Sequence, residues 1–132
     1  TAFVADFIGQ ANLIRGKLTG IDAAGLAQFE TAGRTLSARM GKQNPPSVGE
    51  EALLVVRPEN LRLAGNTNTF PVKIVNRLFE GDRIDYQVVQ PGVNEDKPYS
   101  MSVPFLPGTR LLETETMVEA GFVPTAGVVI RG

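Results

Sequence analysis

The amino-acid sequence predicts an all-β protein, built as one small barrel or as a pair of small barrels. Apolar and polar residues alternate through about eight or nine short segments, as they do in strands that bury one face. Glycine (14 residues) and proline (9 residues) punctuate these segments, which is typical of closed or sandwiched β structures. Helical periodicity is confined to the first few residues. Closure into a barrel would leave no bare strand edges.

The composition fits a single domain of ordinary size and excludes several classes of function. The chain has 132 residues, 42% of them hydrophobic, which is enough to bury a core. Thirteen basic and fourteen acidic residues leave a formal net charge of −1, so nucleic acid is not expected as a partner. No apolar run is long enough for a membrane span, and we expect a soluble chain. A start at Thr1 suggests a mature form or a piece of something longer.

The first element is predicted to be one or two helical turns. Gly9 is a natural helix stop, and the apolar residues before it recur at helical spacing: Phe3, Val4, Phe7 and Ile8. So short a helix is not stable alone; it either packs on the domain that follows or ends a longer helix of a missing partner. From Asn12 onward the apolar period changes to two, which predicts a first strand that ends at Gly20.

The next segments predict a hairpin, a loop and a central strand. Residues 26–29 and 35–40 alternate and are predicted to pair, and residues 41–49 form a loop. The unbroken apolar run at residues 52–56 predicts a strand buried on both faces. Arg57-Pro58 ends it, because proline donates no ladder hydrogen bond, and the charged pair Arg57 and Glu59 is therefore held at a strand end. The structural alternative is that this arginine only satisfies carbonyl groups.

A second hairpin follows a loop at residues 64–69 and turns at Gly81-Asp82. One face of its first arm is predicted to carry Phe70, Val72, Ile74 and Leu78, with Lys73 and Arg77 opposite. Residues 99–105 predict another strand, residues 110–116 a possible one, and residues 127–131 a last one, while residues 118–120 stay open. The sequence shows no repeated segment, although two halves of similar strand content meet near Ala64.

The search for catalytic residues is mostly negative. The chain has no histidine and no cysteine, which removes the commonest general base, thiol nucleophiles and the usual zinc ligands. No glycine-rich phosphate-binding motif is present. The remaining candidates are two acidic pairs, Glu113 with Glu115 and Asp82 with Asp85, which are more simply read as surface features. The aromatic residues of the strands are expected in the core rather than in a base-stacking surface.

Two motifs carry a resemblance to a known family. Residues 3–16, FVADFIGQANLIRG, resemble the segment that follows the ATPase domain in import-type ABC transporter ATP-binding subunits. Residues 56–61, VRPENL, resemble the V-R-P-E signature in the C-terminal region of the same subunits. That region is the transport-associated oligonucleotide-binding-like (TOBE) domain. The tail departs from the family pattern, because a tryptophan is expected there and the chain has none.

The resemblance implies an OB-like β-barrel with a specific domain organisation. Residues 1–12 would be a linker from a missing ATPase domain, and residues 13–132 the barrel domain, with a possible sub-boundary near residue 64. Phe3, Phe7 and Asn12 would form the junction to the ATPase domain; the alternative is that the two phenylalanines cap the barrel. Arg57 and Glu59 would make a regulatory or interface contact at the strand end.

The resemblance also implies a function by association. The chain would be an accessory, regulatory and dimerisation domain of an importer for polyamine-like or related solutes, since the motifs are shared among polyamine, iron and sugar importers. Its partners would be the ATPase domain, a second copy of the subunit and membrane permease subunits, at the cytoplasmic face of the cell membrane. ATP and magnesium would bind the missing domain, and this part would need no cofactor and perform no catalysis. Two alternatives remain open: a stand-alone barrel that binds a small oxyanion, and a β-barrel enzyme that uses carboxylates.

Overall fold

The computed structural model describes residues 11–63 and 68–132, which contain ten strands and two short 3-10 turns. The first five strands are β1 (Asn12–Ile21), β2 (Ala27–Thr31), β3 (Arg34–Met40), β4 (Glu51–Val56) and β5 (Arg62–Leu63). The second five are β6 (Thr69–Glu80), β7 (Arg83–Val89), β8 (Tyr99–Pro104), β9 (Met117–Gly121) and β10 (Gly127–Arg131). The first 3-10 turn is Pro58–Asn60 and the second is Pro124–Ala126.

These strands form a closed barrel and a second sheet. The barrel contains β1, β2, β3, β10 and β4 in that order, and the second sheet has the order β5, β9, β6, β7, β8. The predicted all-β, barrel-type fold is thus confirmed. Buried side chains from both sheets belong to one hydrophobic cluster, which includes Phe29 of the barrel and Tyr86 of the second sheet. The two sheets therefore share a core.

The central strand is close to its prediction. In β4 the side chains of Ala52, Leu54, Val55 and Val56 are buried, and only Leu53 among the apolar residues is partly exposed. Burial of successive residues on both faces explains why the apolar run is unbroken. β4 is bonded to β1 on one side and to β10 on the other, so it lies inside its sheet.

The alternation in β6 is interrupted by a β-bulge between Ile74 and Asn76. One extra residue reverses the face that each later side chain takes. Leu78 is consequently 43% exposed, and the prediction that it shares a buried face with the preceding apolar residues was wrong. Arg77, predicted on the polar face, lies directly opposite Tyr86.

Two further predictions are corrected. The possible strand at residues 110–116 does not form: Glu115 has a positive φ of 66°, and strand β9 begins only at Met117. The aromatic residues are core residues in most strands, but Phe79 and Phe105 are 58% and 38% exposed. Their rings make an edge contact with centroids 5.8 Å apart. Phe79 lies near the end of the β6–β7 hairpin and Phe105 directly follows β8, so the two rings meet at the end of the sheet, outside the core.

The two halves of the chain repeat one arrangement, which corrects the expectation of no repeated segment. Strands β1 and β6 both carry a bulge at the matching step. In the first half Gln28 donates a hydrogen bond to the hydroxyl of Ser37, and in the second half Gln87 donates one to Ser100, both at 3.1 Å. The sequence hides the repeat because loops of different length separate the matching residues and few of those residues are identical.

The last strand of each half joins the sheet of the other half. β5 pairs with β9, whereas β10 pairs antiparallel with β4 and parallel with β3, which closes the barrel. Each exchanged strand follows a 3-10 turn that begins with proline, Pro58 in the first half and Pro124 in the second. The predicted last strand at residues 127–131 is therefore the strand that completes the barrel.

The N-terminal predictions fall mostly outside the described residues. The helical turn predicted for residues 1–8, with Phe3 and Phe7, belongs to this part of the chain. The division into a linker at residues 1–12 and a barrel domain at residues 13–132, with a sub-boundary near residue 64, stays a prediction.

Candidate functional site

The strand-end segment that carries Arg57 and Glu59 is a tight turn against the second sheet. Arg57 is still extended (φ −71°, ψ 149°), and its carbonyl oxygen accepts a hydrogen bond from the amide of Asn60 at 2.9 Å. Pro58 begins the 3-10 turn, where its fixed φ is favourable and its missing N–H costs nothing. The turn packs against β8. Arg57 is half-buried and Glu59 is exposed, so the glutamate is accessible to a partner.

The corresponding turn of the second half shows which residues of this turn the backbone geometry requires. The matching residues of the second turn are Val123, Pro124 and Thr125. Proline recurs, because both turns must leave one sheet and enter the other. The arginine and the glutamate do not recur, although the second turn has the same backbone form. Arg57 and Glu59 are therefore not required by this turn geometry, and their interface role stays a prediction.

Asn12 has a structural contact that the sequence did not predict. Its side-chain amide donates a hydrogen bond to the carbonyl oxygen of Ser100 and accepts one from the amide of Ser100, both at 2.8 Å. Asn12 is 7% exposed. The side chain thus imitates one rung of a β-ladder and joins β1 of the barrel to β8 of the second sheet. Its predicted role at a junction to another domain stays a prediction, as does that of Phe3 and Phe7.

Asn68 makes the matching contact in the other half. Its side-chain oxygen accepts a hydrogen bond from the amide of Ser37 at 2.7 Å, and its nitrogen donates to the carbonyl oxygen of Ser37 at 2.9 Å. We call the Asn12–Ser100 and Asn68–Ser37 pairs the asparagine clasps. Each clasp links the start of a first strand to the third strand of the opposite half.

The acidic pairs considered for catalysis lie in ordinary surface contacts. Glu113 and Glu115 contact different cations, Arg77 at 3.8 Å and Lys73 at 3.5 Å. Asp82 is exposed at the hairpin turn. Burial raises the pKa of Asp85, and the charge of Glu80 raises it further. Within residues 11–63 and 68–132, no group of three or more acidic residues is arranged to hold a metal ion.

A groove on the outside of the barrel was missed by the sequence analysis. Two adjoining pockets of about 200 and 370 Å³ share Leu13, Arg15 and Lys97 as lining residues. Leu53 lines the larger pocket, opposite Arg15 in the β1–β4 pairing. We call the surface formed by these four residues the β1 groove. The sequence signal for this groove was the outward-facing Leu13 in β1. Lys97 could not be included, because it reaches the groove from a loop that is distant in sequence.

The matching surface of the other half is occupied by a side-chain network. Arg34 donates two hydrogen bonds to the carboxylate of Glu119, at 2.9 and 3.3 Å, and one to the carbonyl oxygen of Thr69 at 3.3 Å. The hydroxyl of Thr69 donates to the same carboxylate at 3.1 Å. The bond from Arg34 lowers the pKa of Glu119, against a smaller opposing effect of burial. A bidentate arginine–carboxylate pair therefore closes this surface.

Comparison with known proteins assigns the family. The family model described as "TOBE domain" matches residues 54–130, which is more than half of the chain. The chain belongs to the TOBE domain family. The match includes the turn with Arg57 and Glu59, the second sheet and the exchanged strand β10. The resemblance found in the two sequence motifs is thereby confirmed at the level of the domain.

Curated relatives of this TOBE domain are ATP-binding proteins of importers. A spermidine/putrescine import ATP-binding protein PotA from Trichormus variabilis is 31% identical over 67% of the chain and 24% of the relative. The corresponding protein of Pseudomonas aeruginosa is 30% identical over 98% of the chain and 36% of the relative. The chain thus spans about a quarter of the length of the first curated relatives it matches.

A solved structure supports the fold of the TOBE domain. The cytoplasmic molybdate-binding protein ModG, in a crystal form with molybdate bound, has a TM-score of 0.72 over 92% of this chain and 96% of its own. The sequence identity is 14%, so the likeness concerns the fold. In the described part of the TOBE domain, no helix has the length and apolar character needed to cross a membrane.

Proposed function

We propose that this TOBE domain is the C-terminal accessory and dimerisation domain of an ATP-binding subunit of an ABC importer for a polyamine-like solute. The observation that carries the proposal is the alignment of 98% of the chain with a spermidine/putrescine import ATP-binding protein. The missing ATPase domain would hold ATP and magnesium, so the chain itself would have no catalytic role. The subunit would work at the cytoplasmic face of the membrane, docked on permease subunits.

The barrel would act by keeping two subunits together. Two ATPase domains separate during a transport cycle, and a contact that persists elsewhere keeps their effective concentration high. Glu59 is exposed at a turn that the fold builds without a charged residue in the other half, which supports it as a contact residue. Arg57 precedes the proline of the same turn. A ligand that preferred one arrangement of the paired barrels would bias the cycle.

The subunit assignment is tested by the native mass of the polypeptide. An antibody raised against this chain should detect, in cells of the source, a band several times the 14.2 kDa of the chain. That band should fractionate with membranes and lose this association when the permease genes are deleted. A soluble band at 14.2 kDa would contradict the proposal.

The dimer contact is tested separately by sedimentation equilibrium. We expect the chain to self-associate, and the Glu59→Ala and Arg57→Ala variants to raise the dimer dissociation constant by about tenfold each, as loss of a charged contact does. The matched control is Val123→Ala, at the position of Arg57 in the second turn, which should leave the constant unchanged. Equal effects of all three variants would contradict a specific role for the charged pair.

A second candidate is binding of a small oxyanion, favoured by the fold shared with a molybdate-binding protein. Molybdate should then raise the melting temperature in proportion to the logarithm of its concentration, and Arg57→Ala should abolish the shift. A melting temperature that does not respond to molybdate would remove this candidate.

A further inference from the structure

The counterpart of the β1 groove in the other half is the network of Arg34 and Glu119. This network pairs a cation with a carboxylate, and the β1 groove has no carboxylate at the matching position. Arg15 lies opposite Leu53 in the β1–β4 pairing, as Pro71 lies opposite Glu119 in the β6–β9 pairing. Leu53 therefore occupies the position of Glu119. By the same pairing, Leu13 occupies the position of Thr69.

The cation of each surface comes from the opposite half. Lys97 lies as far before Ser100 as Arg34 lies before Ser37, and the two serines are matched by their glutamine bonds. Arg34 reaches Glu119 of β9, and Lys97 lines the pocket with Leu53 of β4. On each surface, a cation from one half thus lies over the fourth strand of the other half. In β9 that strand supplies the carboxylate of Glu119, whereas β4 has Leu53 at the matching position.

Two positive charges in the β1 groove have no carboxylate partner among residues 11–63 and 68–132. Within the described part of the chain, no ion pair involves Arg15 or Lys97, whereas Arg34 is paired at 2.9 Å. Asp96 lines the smaller pocket and Glu51 the larger one, and neither carboxylate lies within ion-pair distance of Arg15 or Lys97. Between them the surface is apolar, formed by the partly exposed side chains of Leu13 and Leu53.

We propose that the β1 groove is a binding site for a small organic carboxylate with an aliphatic body. The ligand carboxylate would take the place that the Glu119 carboxylate takes in the other half, with Lys97 and Arg15 as its hydrogen-bond donors. The aliphatic body would lie on Leu13 and Leu53. The pockets, about 200 and 370 Å³, match a molecule of this size. The proposal is independent of the importer assignment, because it rests on the comparison of the two halves.

The test is a titration of the isotope-labelled 132-residue chain with hexanoate, followed by the backbone amide signals in NMR spectra. We expect saturable shifts at residues 13, 15, 53 and 97, and a much weaker response to hexanol, which lacks the charge. Lys97→Ala and Arg15→Ala should each weaken hexanoate binding about tenfold. The matched control is Arg34→Ala, which removes the equivalent cation of the other half and should leave hexanoate affinity unchanged.

A second variant places a carboxylate of the protein itself in the β1 groove. Leu53→Glu places a carboxylate where Glu119 stands in the other half, so it should abolish hexanoate binding and give a higher melting temperature than Leu53→Gln. Sulfate is the competitor that separates the ligand classes, and it should displace hexanoate poorly because it makes no contact with the leucines. Shifts that do not saturate, shifts that map elsewhere, or equal binding of hexanol or sulfate would overturn the proposal. Failure of the importer assignment would leave these results unchanged.

Discussion

At the residue scale, Gly16 leaves the space that the buried ring of Phe29 needs. A Cβ atom added there would meet the carbonyl oxygen of Glu30 and lie 2.5 Å from the ring of Phe29. The matching positions of the second half are Val72 and Val88, both buried. A glycine with a phenylalanine in one half thus corresponds to two valines in the other. The volume is shared differently, as dense packing requires.

Substitution of this glycine should therefore be costly. We expect Gly16→Ala to lower the free energy of unfolding by about 3 kcal/mol, because the new methyl group overlaps a backbone atom and a buried ring. The measurement is urea denaturation. The control is Gly20→Ala in the same strand, where no atom lies within 4 Å of the added Cβ, and a change near zero is expected. A small effect at both positions would contradict the packing argument.

Asp85 gives a prediction about pH. Burial, with the nearby charge of Glu80, raises the pKa of this carboxyl group, so its ionised form at neutral pH disfavours the folded state. Asp85→Asn should stabilise the protein at pH 7 by less than about 1 kcal/mol, since the side chain is only partly buried. As pH falls through the raised pKa toward the ordinary aspartate pKa of 3.8, the advantage should shrink. Melting temperatures of both proteins between pH 3 and pH 7 would measure it, and a constant or growing advantage at low pH would contradict the sign.

At the element scale, the asparagine clasps hold the two sheets together without a shared ladder. Asn12→Ala would leave the backbone N–H and C=O of Ser100 without their partner in a partly buried position. We expect a loss of about 1–3 kcal/mol in the free energy of unfolding. Asn68→Ala should cost a similar amount. The control is Asn76→Ala, whose exposed side chain accepts one hydrogen bond within the described residues, from the amide of Arg77.

The choice of probe can separate the clasp from a general loss of stability. The amide of Ser100 should exchange its hydrogen faster in Asn12→Ala, and the amide of Ser37 should do so in Asn68→Ala. Each variant should leave the serine of the other clasp protected to the extent that global stability allows. Exchange that rises equally at both serines in both variants would contradict independent clasps.

The elements that the sequence predicted are those whose side chains alternate against a core. The central strand and both hairpins could be predicted because the spacing of their apolar residues indicates which side chains are buried. The bulge in β6 was not, since one inserted residue leaves the composition of a strand unchanged. Residues 110–116 alternate to some extent, yet a positive φ at Glu115 makes them a connection to β9. Local pattern does not report such backbone geometry.

Of the candidate sites, one could be placed from the local sequence and the other could not. Arg57 and Glu59 could be placed at a strand end from the proline between them, and the structure puts them there. Lys97 and Arg15 could not be brought together, because one lies in a loop before β8 and the other in β1. Their proximity follows from the docking of the two halves. The duplicated clasps were equally hidden, since a single shared asparagine, glutamine and serine do not stand out in a sequence.

At the scale of the whole molecule, the strand exchange makes each half depend on the other. The barrel of the first half is closed by β10 from the end of the chain, and β5 from the first half extends the second sheet. The hydrophobic cluster is continuous between the sheets. Neither half can complete its sheet from its own sequence. Unfolding of one half should remove a strand and a buried surface from the other: β10 from the closed barrel, or the edge strand β5 from the second sheet.

We therefore expect a single cooperative unfolding transition, and the two tyrosines provide a way to see it. Tyr86 and Tyr99 lie in the second sheet and are 1% and 4% exposed, so tyrosine fluorescence reports that half, while far-ultraviolet circular dichroism reports all strands. The two signals should change at the same urea concentration, as two-state unfolding requires.

Removal of residues 127–132 is the decisive variant, because β10 belongs to the barrel and contains no tyrosine. If the halves are coupled as the strand exchange indicates, this truncation should shift the tyrosine transition of the second sheet to lower urea together with the circular dichroism signal. A truncated protein whose tyrosines keep their original transition while part of the strand signal is lost would show that the halves fold independently, with a true boundary near residue 64.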